Sequence, residues 1–318
     1  MGTIKLSAST FSAGYLFATG AMDFEGFVRT TSEIGYTGIE LVSAQLVPGY
    51  PYPSDEWVEE TRRIMKKYNM EMAAYGGYVD TVRYNGRDLT PEEILSISRN
   101  DLVLAYRLGA PILKTSAAIG VDTLKTLLPD CERWGIWIGL ELHGPESLHS
   151  DLWQPYLKLF EEDKGKHFGI VPDACILQEL PNEMFVRESL DAGVSRARYD
   201  EIEGAFRVGV SLADAKERLA LTHLESEIAE KMYAGFGTNM VADMDLAYQY
   251  CRYTHGKYFY IDEQDSDRGI DFAKLVDTMK RHQYDGYISA EYEGYFHDST
   301  EDTVKQLQRY YRLMKKLI

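Results

Sequence analysis

Ionisable side chains interrupt four hydrophobic segments of the sequence near their carboxyl ends. In residues 138–143, Glu141 and His143 stand two positions apart, so in a strand both side chains point to the same face. Three later segments end in the same way, with Asp173, with His255 and Lys257, and with Glu291 and Glu293. Because a charge among apolar groups is costly without a partner, we expect these side chains to point toward a common interior.

We expect the first residue of each pair to lie deeper than the second. The predicted deep tier contains three carboxylates and one imidazole, from Glu141, Asp173, His255 and Glu291. Carboxylates that converge in a region of low dielectric repel one another, and a divalent cation removes that repulsion. This oxygen-rich set predicts a site for Mn²⁺, with Mg²⁺ or Co²⁺ as alternatives. For each single carboxylate, the alternative is an ordinary salt bridge or helix cap.

The predicted outer tier contains His143, Lys257 and Glu293. His143 is the candidate for proton transfer, because an imidazole with a pKa of about 6.5 exchanges protons near neutral pH. Its alternative role is to position the substrate. Lys257, Glu293 and Lys114, which lies in the apolar segment 111–116, are candidate contacts for substrate hydroxyl groups. Either lysine could instead only neutralise a neighbouring carboxylate.

Short apolar segments alternate eight times with longer amphipathic ones, a pattern typical of βα units. Thr90 and Glu93 flank a proline in a capping box that starts a helix. Gly35, Gly109 and Gly135 lie between a helix and the next strand, where glycine caps belong. The pattern predicts an α/β fold, a single (β/α)8 TIM barrel. Its strands are expected at residues 4–10, 38–43, 71–78, 111–116, 136–143, 168–173, 253–261 and 287–293.

The alternation is interrupted once, between the sixth and seventh strands. Residues 176–251 are far more than one helix requires, and they contain a polar, helix-favouring run at 211–233. We therefore predict a long, mostly helical insertion within a single domain of residues 1–318. Because loops that follow barrel strands emerge at the catalytic face, we expect the insertion to be a lid or a surface for a partner. The alternative is that the segment only adds helices to the barrel and forms neither a lid nor a partner surface.

The overall composition limits the classes of function. The chain carries a formal net charge of −16, which opposes binding to nucleic-acid phosphates. Its three cysteines are widely separated, without the spacing of a disulfide framework or a thiolate zinc site. No segment approaches the roughly 18 apolar residues of a membrane span, and the first residues do not form a signal peptide. We expect a cytoplasmic protein that binds neither nucleic acid nor membranes.

The order Glu, Asp, His and Glu at the ends of strands five to eight resembles the xylose isomerase-like superfamily of sugar isomerases and epimerases. The resemblance spans nearly the whole chain. It implies a divalent metal bound by the four residues of the deep tier. Ketose 3-epimerases of that superfamily use the two glutamates as an acid–base pair and carry a histidine three residues after the strand-six aspartate. Here that position is Ile176, which disfavours ordinary ketose epimerisation.

Residues 139–144, residues 253–257 and the long segment after strand six are similar to the large, barrel subunit of bacterial C-glycoside deglycosidases. In that family a separate oxidoreductase first makes a ketone at C3 of the sugar. The deglycosidase then cleaves the carbon–carbon bond to an aromatic aglycone, and a smaller β-type subunit accompanies the barrel. The resemblance implies a metal-dependent lyase in a hetero-oligomer, acting on a 3-oxo-C-glycoside, with His143 as acid or base on the aglycone side.

Three other functions share some of these features. An isomerase, epimerase or dehydratase that acts on a keto-sugar or inosose would need the same metal and the same enolate chemistry, so the sequence separates it poorly from a lyase. A related repair endonuclease would need more histidine ligands and a basic groove, which seven histidines and the acidic charge disfavour. A sugar-binding subunit without activity would have no need to keep all four predicted ligands.

Overall fold

A parallel β-sheet of eight strands forms the centre of the computed structural model, which describes residues 3–81, 83–238 and 240–318. The strands are β1 Lys5–Ser9, β2 Gly38–Val42, β3 Glu71–Gly76, β4 Ile112–Thr115, β5 Trp137–Leu142, β6 Phe168–Pro172, β7 Tyr253–Tyr258 and β8 Tyr287–Tyr292. They lie in the order β6-β5-β4-β3-β2-β1-β8-β7. A parallel bridge between Asp173, directly after β6, and His255, in β7, joins the two ends. The predicted TIM barrel is therefore confirmed.

Helices alternate with the strands along the chain. Their bounds are α1 Gly14–Ala18, α2 Phe24–Ile34, α3 Ser43–Leu46, α4 Asp55–Lys67, α5 Pro91–Leu108, α6 Val121–Trp134, α7 Gln154–Asp163, α8 Glu183–Asp191, α9 Arg196–Arg207, α10 Leu212–Arg218, α11 His223–Gly235, α12 Val241–Ala247, α13 Phe272–Arg281 and α14 Thr303–Leu317. The capping box of Thr90 and Glu93 starts α5. Gly35, Gly109 and Gly135 end helices in the left-handed conformation, so these predicted caps are confirmed. Among the described residues, no helix is both long and apolar enough to cross a bilayer.

Two strands end more than one residue earlier than the sequence predicts. β3 ends at Gly76 and β7 ends at Tyr258, two and three residues before the expected limits. After β7, the backbone N–H of Ile261 donates to the side-chain oxygen of Gln306, in α14, at 2.8 Å. The chain has therefore left the sheet at this point, because its backbone group is satisfied by a helix side chain instead of a neighbouring strand.

The barrel strands are buried on both faces. Every residue of β2, β6, β7 and β8 is buried, as expected for parallel strands covered by helices on one side. Apolar side chains from opposite parts of the sheet, such as Ile39, Leu113, Ile170 and Ile288, belong to one core cluster. The interior is therefore an environment in which each ionisable side chain needs a partner.

Between β6 and β7 the described residues form five α-helices, α8 to α12, whereas α13 is the α-helix between β7 and β8. Residues of α8, α9 and α11 form an apolar cluster of their own, with Phe185, Tyr199, Ile202, Ile228 and Met232 among its members. The helix-favouring run predicted at 211–233 lies in α10 and α11.

Candidate active site

The four residues of the deep tier meet at one point inside the barrel. Ligand atoms of Glu141, Asp173, His255 and Glu291 all lie within 4.8 Å of one another. His255 Nδ1 is 2.9 Å from the nearer carboxylate oxygen of Glu141, 3.0 Å from Glu291 and 3.9 Å from Asp173. Three of these residues lie within β5, β7 and β8, and Asp173 directly follows β6. The barrel thus brings together side chains from four neighbouring strand positions.

Asp173 has its two carboxylate oxygens in different surroundings. Its Oδ1 accepts a hydrogen bond from the backbone N–H of Cys175 at 2.7 Å and so caps a short 3₁₀ helix. Its Oδ2 is buried and has no hydrogen-bond partner among the described residues. An unpaired buried carboxylate oxygen is unfavourable, and a cation would supply the missing partner. The free oxygen and the oxygen-rich donor set therefore fit a divalent cation held by the four residues of the deep tier.

Glu40, in β2, is a site residue that the sequence analysis did not identify. Its carboxylate is fully buried, and it accepts hydrogen bonds from His255 Nε2 at 2.7 Å and from Ser9 Oγ at 3.0 Å. Glu40 interrupts the apolar segment 38–42 in the same way as the predicted ligands interrupt theirs. A search of the second strand for an ionisable residue within its apolar segment would have identified Glu40.

Lys114, in β4, has no exposed surface. Its ammonium lies 3.2 Å from both carboxylate oxygens of Glu141 and 3.6 Å from Glu40 Oε1, and it also donates to the Tyr78 hydroxyl. The Tyr78 hydroxyl donates in turn to Glu141 Oε2 at 3.0 Å. The buried ammonium therefore lies between two carboxylates and compensates part of their charge.

Opposite charges in this cluster stabilise one another. Burial alone would raise the pKa of Glu40, but His255 and Lys114 outweigh it and lower that pKa to about 2. Burial also opposes ionisation of Glu141, whose pKa Lys114 and His255 nevertheless hold well below its usual range. Burial lowers the pKa of His255, whereas Glu291 and Glu40 raise it well above the usual range. The buried carboxylates of this site are therefore paired with the cationic side chains of Lys114 and His255.

The outer tier forms a chain of hydrogen bonds that reaches the surface. Lys257 Nζ is 2.9 Å from Glu293 Oε1 and 2.9 Å from His143 Nε2. His143 Nδ1 lies 2.7 Å from the carbonyl oxygen of Gly144. Because a carbonyl only accepts, Nδ1 carries a proton and Nε2 accepts from the ammonium of Lys257. His143 is exposed, whereas Lys257 is buried.

His143 lies next to the deep tier. Ligand atoms of His143, Asp173 and Cys175 are within 4.8 Å of one another, so the imidazole is adjacent to one of the candidate cation ligands. Ile176, at the position where ketose 3-epimerases carry a histidine, is completely buried in the apolar core. The polar group beside Asp173 thus comes from the loop after β5.

Two curated relatives match nearly the whole chain. The 3'-dehydrocarminate deglycosidase alpha subunit of Microbacterium sp. is 26% identical, over 98% of this chain and 95% of its own length. The C-glycoside deglycosidase alpha subunit of Arthrobacter globiformis is 23% identical, over 99% of this chain and 92% of its own length. The resemblance to the barrel subunits of C-glycoside deglycosidases is confirmed.

Solved structures share the fold. A sugar phosphate isomerase/epimerase from Parabacteroides distasonis has a TM-score of 0.59 at 11% identity, covering 99% of this chain and 94% of that one. A D-allulose 3-epimerase from Methylomonas sp., in complex with D-allulose, has a TM-score of 0.58 at 15% identity, covering 100% and 98%. At such identities the likeness concerns the barrel alone. The sequence model of the family described as a xylose isomerase-like TIM barrel matches residues 28–314, and the chain belongs to that family.

Proposed function

We propose that the chain is the barrel subunit of a C-glycoside deglycosidase, a metal-dependent lyase. It would cleave the bond between C1 of a 3-oxo sugar and a carbon of the aglycone. The observation that supports this most is the exposed imidazole of His143 beside four candidate cation ligands, of which three are buried and Glu141 is partly buried. Both relatives described above are named deglycosidase alpha subunits, and the name of one refers to a 3'-dehydro compound.

The chemistry follows from a ketone at C3 of the sugar. The ketone makes the proton on C2 acidic, so removal of that proton is the expected first step. The electron pair left on C2 forms a double bond to C1, and the bond between C1 and the aglycone carbon breaks. The aglycone carbon gains a proton, so the products are an unsaturated keto-sugar and the free aglycone. A divalent cation bound by the deep tier would supply Lewis-acid polarisation of a sugar oxygen.

His143 is proposed to exchange the proton on the aglycone side. Its Nδ1 proton is held by the Gly144 carbonyl at 2.7 Å, so Nε2 is the nitrogen that takes up a proton and, once protonated, can donate it. Lys257 orients Nε2 from 2.9 Å and is itself held by Glu293. An imidazole that is oriented in this way and open to a ligand is suited to general acid–base catalysis.

The remaining polar residues are proposed to have different roles. Lys114, which is completely buried between two carboxylates, is proposed to balance charge and not to contact substrate directly. Lys257 and Glu293, in the outer tier, are proposed to contact sugar hydroxyl groups. Mn²⁺ is the proposed metal, with Mg²⁺ and Co²⁺ as alternatives, because these cations accept oxygen-rich donor sets.

A smaller subunit is the proposed partner, because both relatives are named alpha subunits. Residues 176–251 are the proposed lid or contact surface for it. They carry an apolar cluster separate from the barrel core, and Val208, at the end of α9, is 77% exposed. The three cysteines are free thiols, which supports the proposal of a reducing, cytoplasmic location.

The test is release of free aglycone from a 3-oxo-C-glucoside by the chain produced together with its partner subunit. We expect release that EDTA abolishes and Mn²⁺ restores. If the keto-sugar is isomerised and no aglycone appears, the isomerase interpretation replaces the lyase.

The role of His143 is tested in the variant His143→Ala. We expect turnover to fall by about 10²-fold or more, with the Mn²⁺ content, measured by mass spectrometry, unchanged. His149→Ala is the matched control, since His149 is an exposed histidine of the same loop. Full turnover in the His143→Ala variant with metal bound would exclude the proposed proton transfer.

A further inference from the structure

The two ring nitrogens of His255 face different parts of the barrel. Nδ1 faces the candidate cation ligands Glu141 and Glu291, at 2.9 and 3.0 Å. Nε2 faces Glu40 Oε2 at 2.7 Å, and the His255 and Glu40 side chains have no exposed surface. Glu40 thus lies on the opposite side of the imidazole from the deep tier.

Glu40 is itself held in one position. It belongs to β2, and its Oε1 accepts from the Ser9 hydroxyl, in β1, at 3.0 Å. Lys114 Nζ lies 3.6 Å from the same oxygen. With one oxygen occupied in this way, Oε2 remains directed at His255. A carboxylate that is rigid and fully buried gives the imidazole a single favourable orientation.

We infer that Glu40 is a positioning residue for the cation, acting through His255; this inference rests on the proposed metal site. By accepting the Nε2 proton, Glu40 selects the form of the ring in which Nδ1 is free to bind metal. It also fixes the ring plane, so that Nδ1 points at the deep tier. Carboxylates that accept the second N–H of a metal-bound histidine typically contribute 10- to 100-fold to metal affinity.

The test is the Mn²⁺ affinity of the variant Glu40→Gln, measured as free Mn²⁺ by electron paramagnetic resonance during a titration. We expect the Kd to rise by about 10- to 100-fold. Glu203→Gln is the matched control: Glu203, in α9, is also buried, but it pairs with Arg268, which lies between β7 and β8. Its Kd should equal that of the wild type. A folded Glu40→Gln variant whose Kd lies within about twofold of the wild-type value overturns the inference.

A second measurement uses the unaltered protein and so does not depend on the folding of a variant. In the Mg²⁺-loaded chain, the ¹⁵N resonances of His255 should correspond to a protonated Nε2 and an unprotonated Nδ1. The opposite tautomer overturns the inference. Weakened Mn²⁺ binding in Glu40→Gln, together with no aglycone release by the wild type, leaves this inference standing while the proposed lyase fails. A wild-type chain that binds no divalent cation overturns both.

Discussion

Asp101, in α5, carries a buried carboxylate outside the candidate active site. The residue is 2% exposed, and its Oδ1 accepts from the hydroxyls of Tyr50 at 2.9 Å and Tyr75 at 3.3 Å. Burial raises the pKa of Asp101 to about 7, although both hydroxyl contacts lower it. The variant Asp101→Asn keeps an oxygen acceptor for the two hydroxyls and removes the ionisation.

The sign and size of the effect follow from the raised pKa. The folded state binds the Asp101 proton up to about pH 7, whereas the unfolded chain releases it near the ordinary value of 3.8. Between these values the folded state holds more protons, so the free energy of unfolding of the wild type falls as pH rises. At about 1.4 kcal/mol per pKa unit, Asp101→Asn should gain roughly 2–3 kcal/mol relative to the wild type between pH 5 and pH 8.

The assay is urea denaturation of both proteins at pH 5, 6, 7 and 8. The difference in free energy of unfolding between Asp101→Asn and the wild type should increase through this range and level off above pH 7. Asp151→Asn, at an exposed position, controls for the exchange of an acid for an amide. If the difference for Asp101→Asn stays constant within about 0.5 kcal/mol, burial does not raise the pKa of Asp101 in the folded protein.

Two further predictions concern the site and its scaffold. Lys257→Met removes the ammonium that holds His143 Nε2 and Glu293. Turnover should fall by about 10²-fold, as for a misplaced catalytic group. A loss below about threefold would contradict the role of Lys257 in positioning His143. Gly169→Ala places a methyl group against the backbone carbonyl of Tyr250, which cannot rotate away. We expect a loss of about 1–3 kcal/mol in the free energy of unfolding, measured by urea denaturation. Unchanged stability would show that the backbone near Tyr250 shifts to make room for the methyl group.

Local sequence patterns predict the elements that position the site, because a strand buried on both faces is a nearly continuous apolar run. An ionisable residue near the end of such a run is therefore conspicuous. Glu141, Asp173, His255 and Glu291 are recognised in this way, and their ligand atoms lie within 4.8 Å of one another in the barrel. Strand ends are less well predicted, as β7 shows, since the backbone after Tyr258 is satisfied by Gln306 from a distant helix.

The partners of a side chain cannot be derived from its neighbours in sequence. Glu40 interrupts an apolar run as visibly as the predicted ligands do, yet its role depends on His255, 215 positions later in the chain. For Lys114, the sequence leaves contact with substrate and charge compensation equally open. Its complete burial between Glu40 and Glu141 favours charge compensation.

The sequence by itself determined the order and type of the elements, and the residues whose charges had to be compensated. Both depend on hydrophobic periodicity and on side-chain chemistry, which are local properties. The tertiary structure alone decided which of those charges meet, which nitrogen of His255 faces the deep tier and which faces Glu40. Hydrogen bonds and charge interactions depend on distances of a few ångströms, and closure of the barrel is what sets such distances between residues far apart in the chain.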